Sequence, residues 1–249
     1  MKKSYLIIGL AALLAIGLAA TVWAVTSHPS STSSKNSKQS KSSKQGLPAG
    51  VKTTDWDLVL VNKQHSRSSE MSFEQGHVGD KAVNAKIQQA VVDFMNGAQQ
   101  AGYATTLVSG YRSIEYQKEV FANVLASNKA KGMSDEAAEK ATKAVVQTPG
   151  SSEHQTGLAI DLAGNDALAK YPGLDGAMDQ FASQQWLIKH APEYGFILRY
   201  GSTKEDRRET GIAYESWHFR YVGVKNAEYI TKHHLTLEAY LAQVKKQNS

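Results

Sequence analysis

The sequence predicts an α+β domain, helices packed on a mainly antiparallel sheet, as a single domain after an N-terminal apolar segment. Three observations point there. Between Gly79 and Gly102, Val83, Ile87, Val91, Phe94 and Ala98 recur at the spacing of one helical face. Leu158, Ile160 and Leu162 alternate with Ala159 and Asp161, the period of a half-buried strand. Helices gather early and short strands late, with too few β-α alternations for a doubly wound parallel sheet.

In order along the chain, Lys2-Lys3 precede an apolar run from Tyr5 to Val25. Its length is close to the roughly 20 residues that cross a bilayer and exceeds the about 7–15 of a secretory h-region. Residues 1–25 are therefore expected to be a membrane anchor, with a cleaved signal peptide ending at Ala24 as the alternative. The basic start keeps the N-terminus inside and exports the chain beyond Val25. Residues 26–46 are nearly all Ser, Thr, Lys, Gln and Asn. No apolar side chain there repays the entropy of ordering, so they are expected to be a disordered tether.

Six lysines and no acidic residue lie before Leu47, and subtracting them from the net charge of +5 leaves the rest at −1. The basic pI belongs to the anchor and tether, so no nucleic-acid partner is implied. There are no cysteines. Disulfides, thiolate metal sites and a cysteine nucleophile are excluded, and stability falls to the core of residues 47–249.

Within that domain Asp57 to Val61 reads as a first strand, and the helix between Gly79 and Gly102 comes next. Thr105 to Val108 reads as a strand leading into Ser109-Gly110-Tyr111-Arg112-Ser113. Apolar spacing then gives a helix from Ile114 to Ala130 with Tyr116, Val120 and Val124 facing inward. Ser134, followed by Asp135 and Glu136, caps another helix running to about Gln147. Past the Asp161 strand, residues 163–176 read as loop and Met178 to His190 as helix. Gly195 to Tyr200 is a strand, and Gly201 to Gly211 a charged loop. A strand from His218 to Val222 and a helical tail, broken near His233-His234, complete the domain.

The chemistry concentrates in two stretches. Ser151-Ser152-Glu153-His154-Gln155-Thr156-Gly157-Leu158-Ala159-Ile160-Asp161 puts an imidazole and a carboxylate on either side of a glycine turn. Glu215-Ser216-Trp217-His218 adds a second imidazole and a further carboxylate. Two histidines, one aspartate and an unliganded glutamate are the inventory of a catalytic zinc site. His154, Asp161 and His218 are the candidate ligands. Glu215 is the candidate general base, acting on water whose pKa zinc lowers to about 7. Glu215 and His218 would face opposite sides of a regular strand, so the base assignment requires a turn or bulge near Ser216.

Those two stretches, with Ser109-Gly110-Tyr111-Arg112-Ser113 and Trp217-His218-Phe219-Arg220-Tyr221-Val222-Gly223, resemble the VanY-type D-alanyl-D-alanine carboxypeptidases and their L,D-carboxypeptidase relatives. These zinc peptidases belong to a wider group that includes lysostaphin-type enzymes and the hedgehog signalling domain. The resemblance covers roughly Trp56 to Lys246. It implies the same α+β fold, one Zn2+, and removal of a terminal D-alanine from peptidoglycan stem peptides. It also implies that Gln117 and Ser152 donate hydrogen bonds to substrate.

Arg112 suits the grip on a free C-terminal carboxylate that an exopeptidase needs, a structural ion pair being the other reading. Arg220 and Tyr221 read as structural, while Trp217 and Tyr111 either line the site or pack. The expected protein is a monomer held at a bacterial cell membrane, its catalytic domain outside and facing the wall. Two other functions remain open: a cross-bridge endopeptidase of the same group, or a wall-binding module that keeps zinc without turnover. The motifs do not choose between D,D and L,D bonds, with a slight lean to L,D.

Overall fold

The computed structural model describes residues 46–248, so the expected anchor and all of the expected tether but Gly46 lie outside the described residues. From Leu47 onward the chain forms one compact unit. No helix among the described residues is long and apolar enough to cross a membrane.

The described residues open with irregular backbone, where a strand was expected at residues 57–61. Leu58 and Val61 are buried there, but the carbonyls of Asp57 and Val59 accept hydrogen bonds from Arg220 Nη2 at 3.0 and 2.7 Å. A guanidinium takes the place of a partner strand. Next comes a hairpin of β1 (Gln75–Val78) and β2 (Lys81–Asn84), then α1 (Gln88–Gln100). The apolar row read as one helical face is thus shared, Val83 lying on β2 and Val91, Phe94 and Ala98 on α1.

β3 (Thr105–Ser109) leads to α2 (Ile114–Ala130), whose first turn is capped by the Ser113 side chain accepting from Tyr116 N. The inward face of α2 differs in part from the expected one, Val120 and Val124 being half-buried as expected. Gln117 and Asn128 are buried and Tyr116 is 52% exposed. The reason is polar interlocking: Asn128 Nδ2 donates to Thr142 Oγ1 on the next helix, α3 (Asp135–Val145), at 3.0 Å.

β4 (Ala159–Gly164) is buried on both faces, where the alternation implied one. Leu158, Ile160 and Leu162 join the main core, and Ala163 packs with Ala167 and Met178 on the other side. Part of the expected loop after it is α4 (Asn165–Lys170). The single helix expected from Met178 is a short 3-10 turn (Gly176–Gln180) followed by α5 (Ala182–His190). After β5 (Phe196–Tyr200), the expected charged loop contains α6 (Lys204–Thr210), started by a capping box between Thr203 and Asp206. β6 (Glu215–Tyr221), α7 (Val224–Lys232) and α8 (Leu237–Gln247) complete the chain.

The main sheet is antiparallel throughout, in the order β3-β4-β6-β5. One face packs on α1, where fully buried Phe94 meets Tyr194, Phe196 and Phe219 at ring-centroid distances of 5.1–5.6 Å. Emptying such a site typically costs about 3–5 kcal/mol. A second core, with Leu58, Val222, Ile230, Leu237 and Tyr240, docks α7 and α8. The first core takes in Ile160, Leu162 and Phe219 of the middle strands, and those strands carry Asp161, Glu215 and His218.

Candidate metal centre

Register does most of the assembly. Asp161 on β4 lies directly across from His218 on β6 and from Ser109 at the end of β3. Arg112, three residues beyond Ser109, therefore arrives beside them. His154 comes from the 3-10 turn Glu153–Thr156, returned over β4 by Gly157 at φ +66°. A Cβ at Gly157 would sit 2.8 Å from Asn84 N, whose N–H donates to the Gly157 carbonyl. Both the turn and the close approach require glycine there.

His154 Nδ1 lies 2.7 Å from the Gly110 carbonyl, which fixes the neutral ring with its proton on that nitrogen. His154 Nε2 then faces Asp161 Oδ2 at 3.4 Å and has no hydrogen-bond partner among the described residues. His218 Nδ1 lies 3.1 Å from Asp161 Oδ1. One ligand atom from each of the three residues falls within 4.8 Å of the other two, and all three are buried. Nitrogen and oxygen ligands of tetrahedral zinc stand about 3.4 Å apart, so the donor set fits zinc with little movement.

Electrostatics agree with that fit. Burial, reinforced by the Arg112 charge, lowers the His154 pKa to about 4, leaving a neutral donor. Burial alone would raise Asp161, but His154 and His218 outweigh it and hold the carboxyl well below the usual range. Burial would lower His218, yet the adjacent carboxylates of Asp161 and Glu153 raise it to about 9. This cluster of acids calls for positive charge at Nδ1, and a proton or a metal ion can supply it.

Glu215 stands beside the cluster. β6 bulges opposite β5, passing from the Leu198–Phe219 pair to the Tyr200–Glu215 pair, and so supplies the irregularity near Ser216 that the spacing requires. Glu215 Oε2 comes within 3.6 Å of His218 Nδ1. Burial is the main cause of a rise in its pKa to about 8; His218 opposes the rise and Asp161 adds to it.

Arg112 Nη2 is 3.6 Å from Asp161 Oδ2, and its Nη1 donates to Gln117 Oε1 at 3.1 Å. Its buried Nε has no partner among the described residues. Gln117 Nε2 donates to the Gln147 carbonyl at 2.8 Å, so much of its amide serves to hold Arg112. Ser152 is buried immediately before the 3-10 turn. Tyr111 donates to Glu70 at 3.2 Å, and Trp217 packs against the Ala163 cluster.

Behind the site lies a network that the sequence did not announce. Glu153 Oε1 accepts from Arg199 Nε and Arg220 Nη1, each at 2.9 Å. Arg199 also binds Glu238 of α8 through Nη1 and Nη2, at 2.9 and 2.6 Å. Arginines set within short apolar strand runs were the one available signal, since a buried guanidinium demands a buried acid.

Comparison with known proteins matches this architecture to carboxypeptidases. A family model described as D-alanyl-D-alanine carboxypeptidase, VanY, matches residues 80–224, more than half of the chain. The protein YodJ of Bacillus subtilis (strain 168) is 37% identical over 201 residues, spanning 76% of this chain and 68% of its own. A solved mutant of the D,D-pentapeptidase VanY from a VanB-type vancomycin resistance cassette, in complex with Zn(II), is 32% identical. It covers 75% of this chain and 99% of its own, with a TM-score of 0.66. The LdcB LD-carboxypeptidase is 34% identical over 74% of this chain and 85% of its own, with a TM-score of 0.59.

Proposed function

The chain belongs to the VanY family of D-alanyl-D-alanine carboxypeptidases, and from that premise we propose a zinc-dependent carboxypeptidase that removes the terminal D-alanine of peptidoglycan stem peptides. The observation that carries the reading is the convergence of His154 Nε2, Asp161 and His218 Nδ1 beside Glu215 and Arg112. His154, Asp161 and His218 would hold the ion. Zinc, when bound, supplies Lewis acidity and a positive charge that ease deprotonation of both water and Glu215.

The chain's own groups divide the remaining work. Arg112, steadied by Gln117, grips the free carboxylate of the substrate through paired N–H donors. Ser152 and the remaining N–H of Gln117 donate to the peptide. Glu215 takes a proton from the attacking water and returns it to the amine of departing D-alanine. Its burial keeps that proton exchange near neutral pH, where a carboxyl in water would already be ionised.

Two features argue against the competing readings. A cross-bridge endopeptidase has no terminal carboxylate to offer Arg112. A zinc-keeping module without turnover has no use for an acid 3.6 Å from a ligand nitrogen. The apolar segment from Tyr5 to Val25 and its basic start support a site of action outside the membrane.

The test is D-alanine release from model stem peptides, with and without a chelator. Release that stops on chelation and returns with zinc is the expected result. Unchanged release after zinc removal overturns the reading. Comparing pentapeptide with tetrapeptide in the same assay assigns the bond as D,D or L,D.

A further inference from the structure

Glu153 is adjacent to one candidate ligand in sequence and to another in space. Its side chain is fully buried, and the two carboxylate oxygens lead different lives. Oε1 accepts from both Arg199 and Arg220. Oε2 has no hydrogen-bond partner among the described residues and lies 3.7 Å from His218 Nε2, which has none either. Closing that gap by about 0.5–1 Å would make an ordinary hydrogen bond.

A carboxylate present only to neutralise the arginines has no reason to leave an oxygen idle. Glu238, the other acid of the network, shows the contrast by taking Arg199 with both oxygens. We propose that Glu153 is the positioning residue of His218: Oε2 accepts the Nε2–H, and the imidazole is thereby held with Nδ1 turned to the metal. Metal-binding histidines ordinarily donate their second N–H to a carboxylate or carbonyl, which sets the tautomer and orients the ring.

The Gly110 carbonyl does this for His154, and Glu153 does it for His218. One 3-10 turn thus delivers the first ligand and the support of the second. Arg199 and Arg220, on β5 and β6, clamp Oε1 so that Oε2 stays aimed. This inference rests on the zinc reading above.

Zinc affinity of the full chain, measured by chelator competition, provides the test. Glu153→Gln should weaken zinc binding about 10- to 100-fold. Glu238→Gln removes the other acid on Arg199 without touching His218, and should keep zinc affinity within about 3-fold while losing stability. Wild-type affinity in Glu153→Gln, or an equal loss in both variants, overturns the proposal.

Should Glu153→Gln not fold, the zinc-loaded wild type decides by histidine-selective nitrogen NMR. A downfield proton on His218 Nε2 is the expected result, and a proton on Nδ1 overturns it. Failure of the wild type to bind zinc would instead sink the functional reading.

Discussion

Two buried charge clusters sit back to back in this molecule, and they are built by opposite rules. In the Glu153–Arg199–Arg220–Glu238 network every arginine nitrogen donates: Arg220 bonds Glu153 and the carbonyls of Asp57, Val59 and Tyr221, and Arg199 bonds two acids. In the cluster of His154, Asp161, His218, Glu215 and Arg112, His154 Nε2 and Arg112 Nε lack partners among the described residues. Leaving a buried polar group unpaired costs about 1–3 kcal/mol. A fold that satisfies the arginines of one cluster and leaves ligand-bearing donors of its neighbour open has kept that neighbour for a ligand. The contrast separates scaffold from site.

The sharpest way to break the comparison is to remove ligands from the open cluster. His154→Ala, Asp161→Ala and His218→Ala should each abolish stoichiometric zinc binding. Elemental analysis finding a full equivalent of zinc in any one of them removes that residue from the ligand set.

The closed cluster should respond in stability instead. Arg220→Met leaves Glu153 short of a partner and frees the two carbonyls of residues 57 and 59, so unfolding in denaturant should show a loss of about 3–5 kcal/mol. A loss below about 1 kcal/mol would mean that the network is ornamental and that the contrast fails.

A subtler effect is expected at the edge of the open cluster. Arg112→Ala loses the grip on a terminal carboxylate in ground and transition states alike. KM should therefore rise more than kcat falls. Preference for a free C-terminus over its amide should shrink as well. Full retention of that preference would assign Arg112 to the ion pair with Asp161 alone.

The smallest effect is a pH slope in the metal-free protein. The folded Glu215 pKa, about 8, lies above its ordinary 4.5. Between those values the folded chain holds a proton that the unfolded chain has released, so stability falls as pH rises. Glu215→Gln lacks this slope. From about pH 6 to about pH 7 the wild type should lose up to about 1.4 kcal/mol relative to the variant. A gap that stays constant or reverses contradicts the buried, protonated carboxyl.

The sequence revealed most where local rules govern. Period-2 alternation located β4, the apolar row located α1, and the expected helix from Ile114 to Ala130 coincides with α2. The approach of His154 to Asp161 was readable because turn and strand spacing confine it, while His218, 57 positions beyond Asp161, joined them through the inventory of donors and the family resemblance. What failed depends on distant partners. Residues 57–61 look like a strand until Arg220, more than 150 positions away, claims their carbonyls.

Tyr116 of α2 turns outward, and the buried positions of that helix go to Gln117 and to Asn128, which binds Thr142 across helices. α6 was hidden in charge, and its signal was the Thr203–Asp206 capping box. Glu153 was invisible as a partner of His218, since no spacing rule links a turn to two arginines on later strands.

Glu215→Ala puts the central account to its most direct test, with zinc content and turnover measured on the same preparation. The ligands and core are untouched, so one zinc per chain and a native fold should remain. Turnover should fall about 100- to 10,000-fold, the usual contribution of a positioned acid-base group. One zinc with turnover near the wild-type value would contradict the account, because the open cluster would then hold its metal and act without the acid placed beside it.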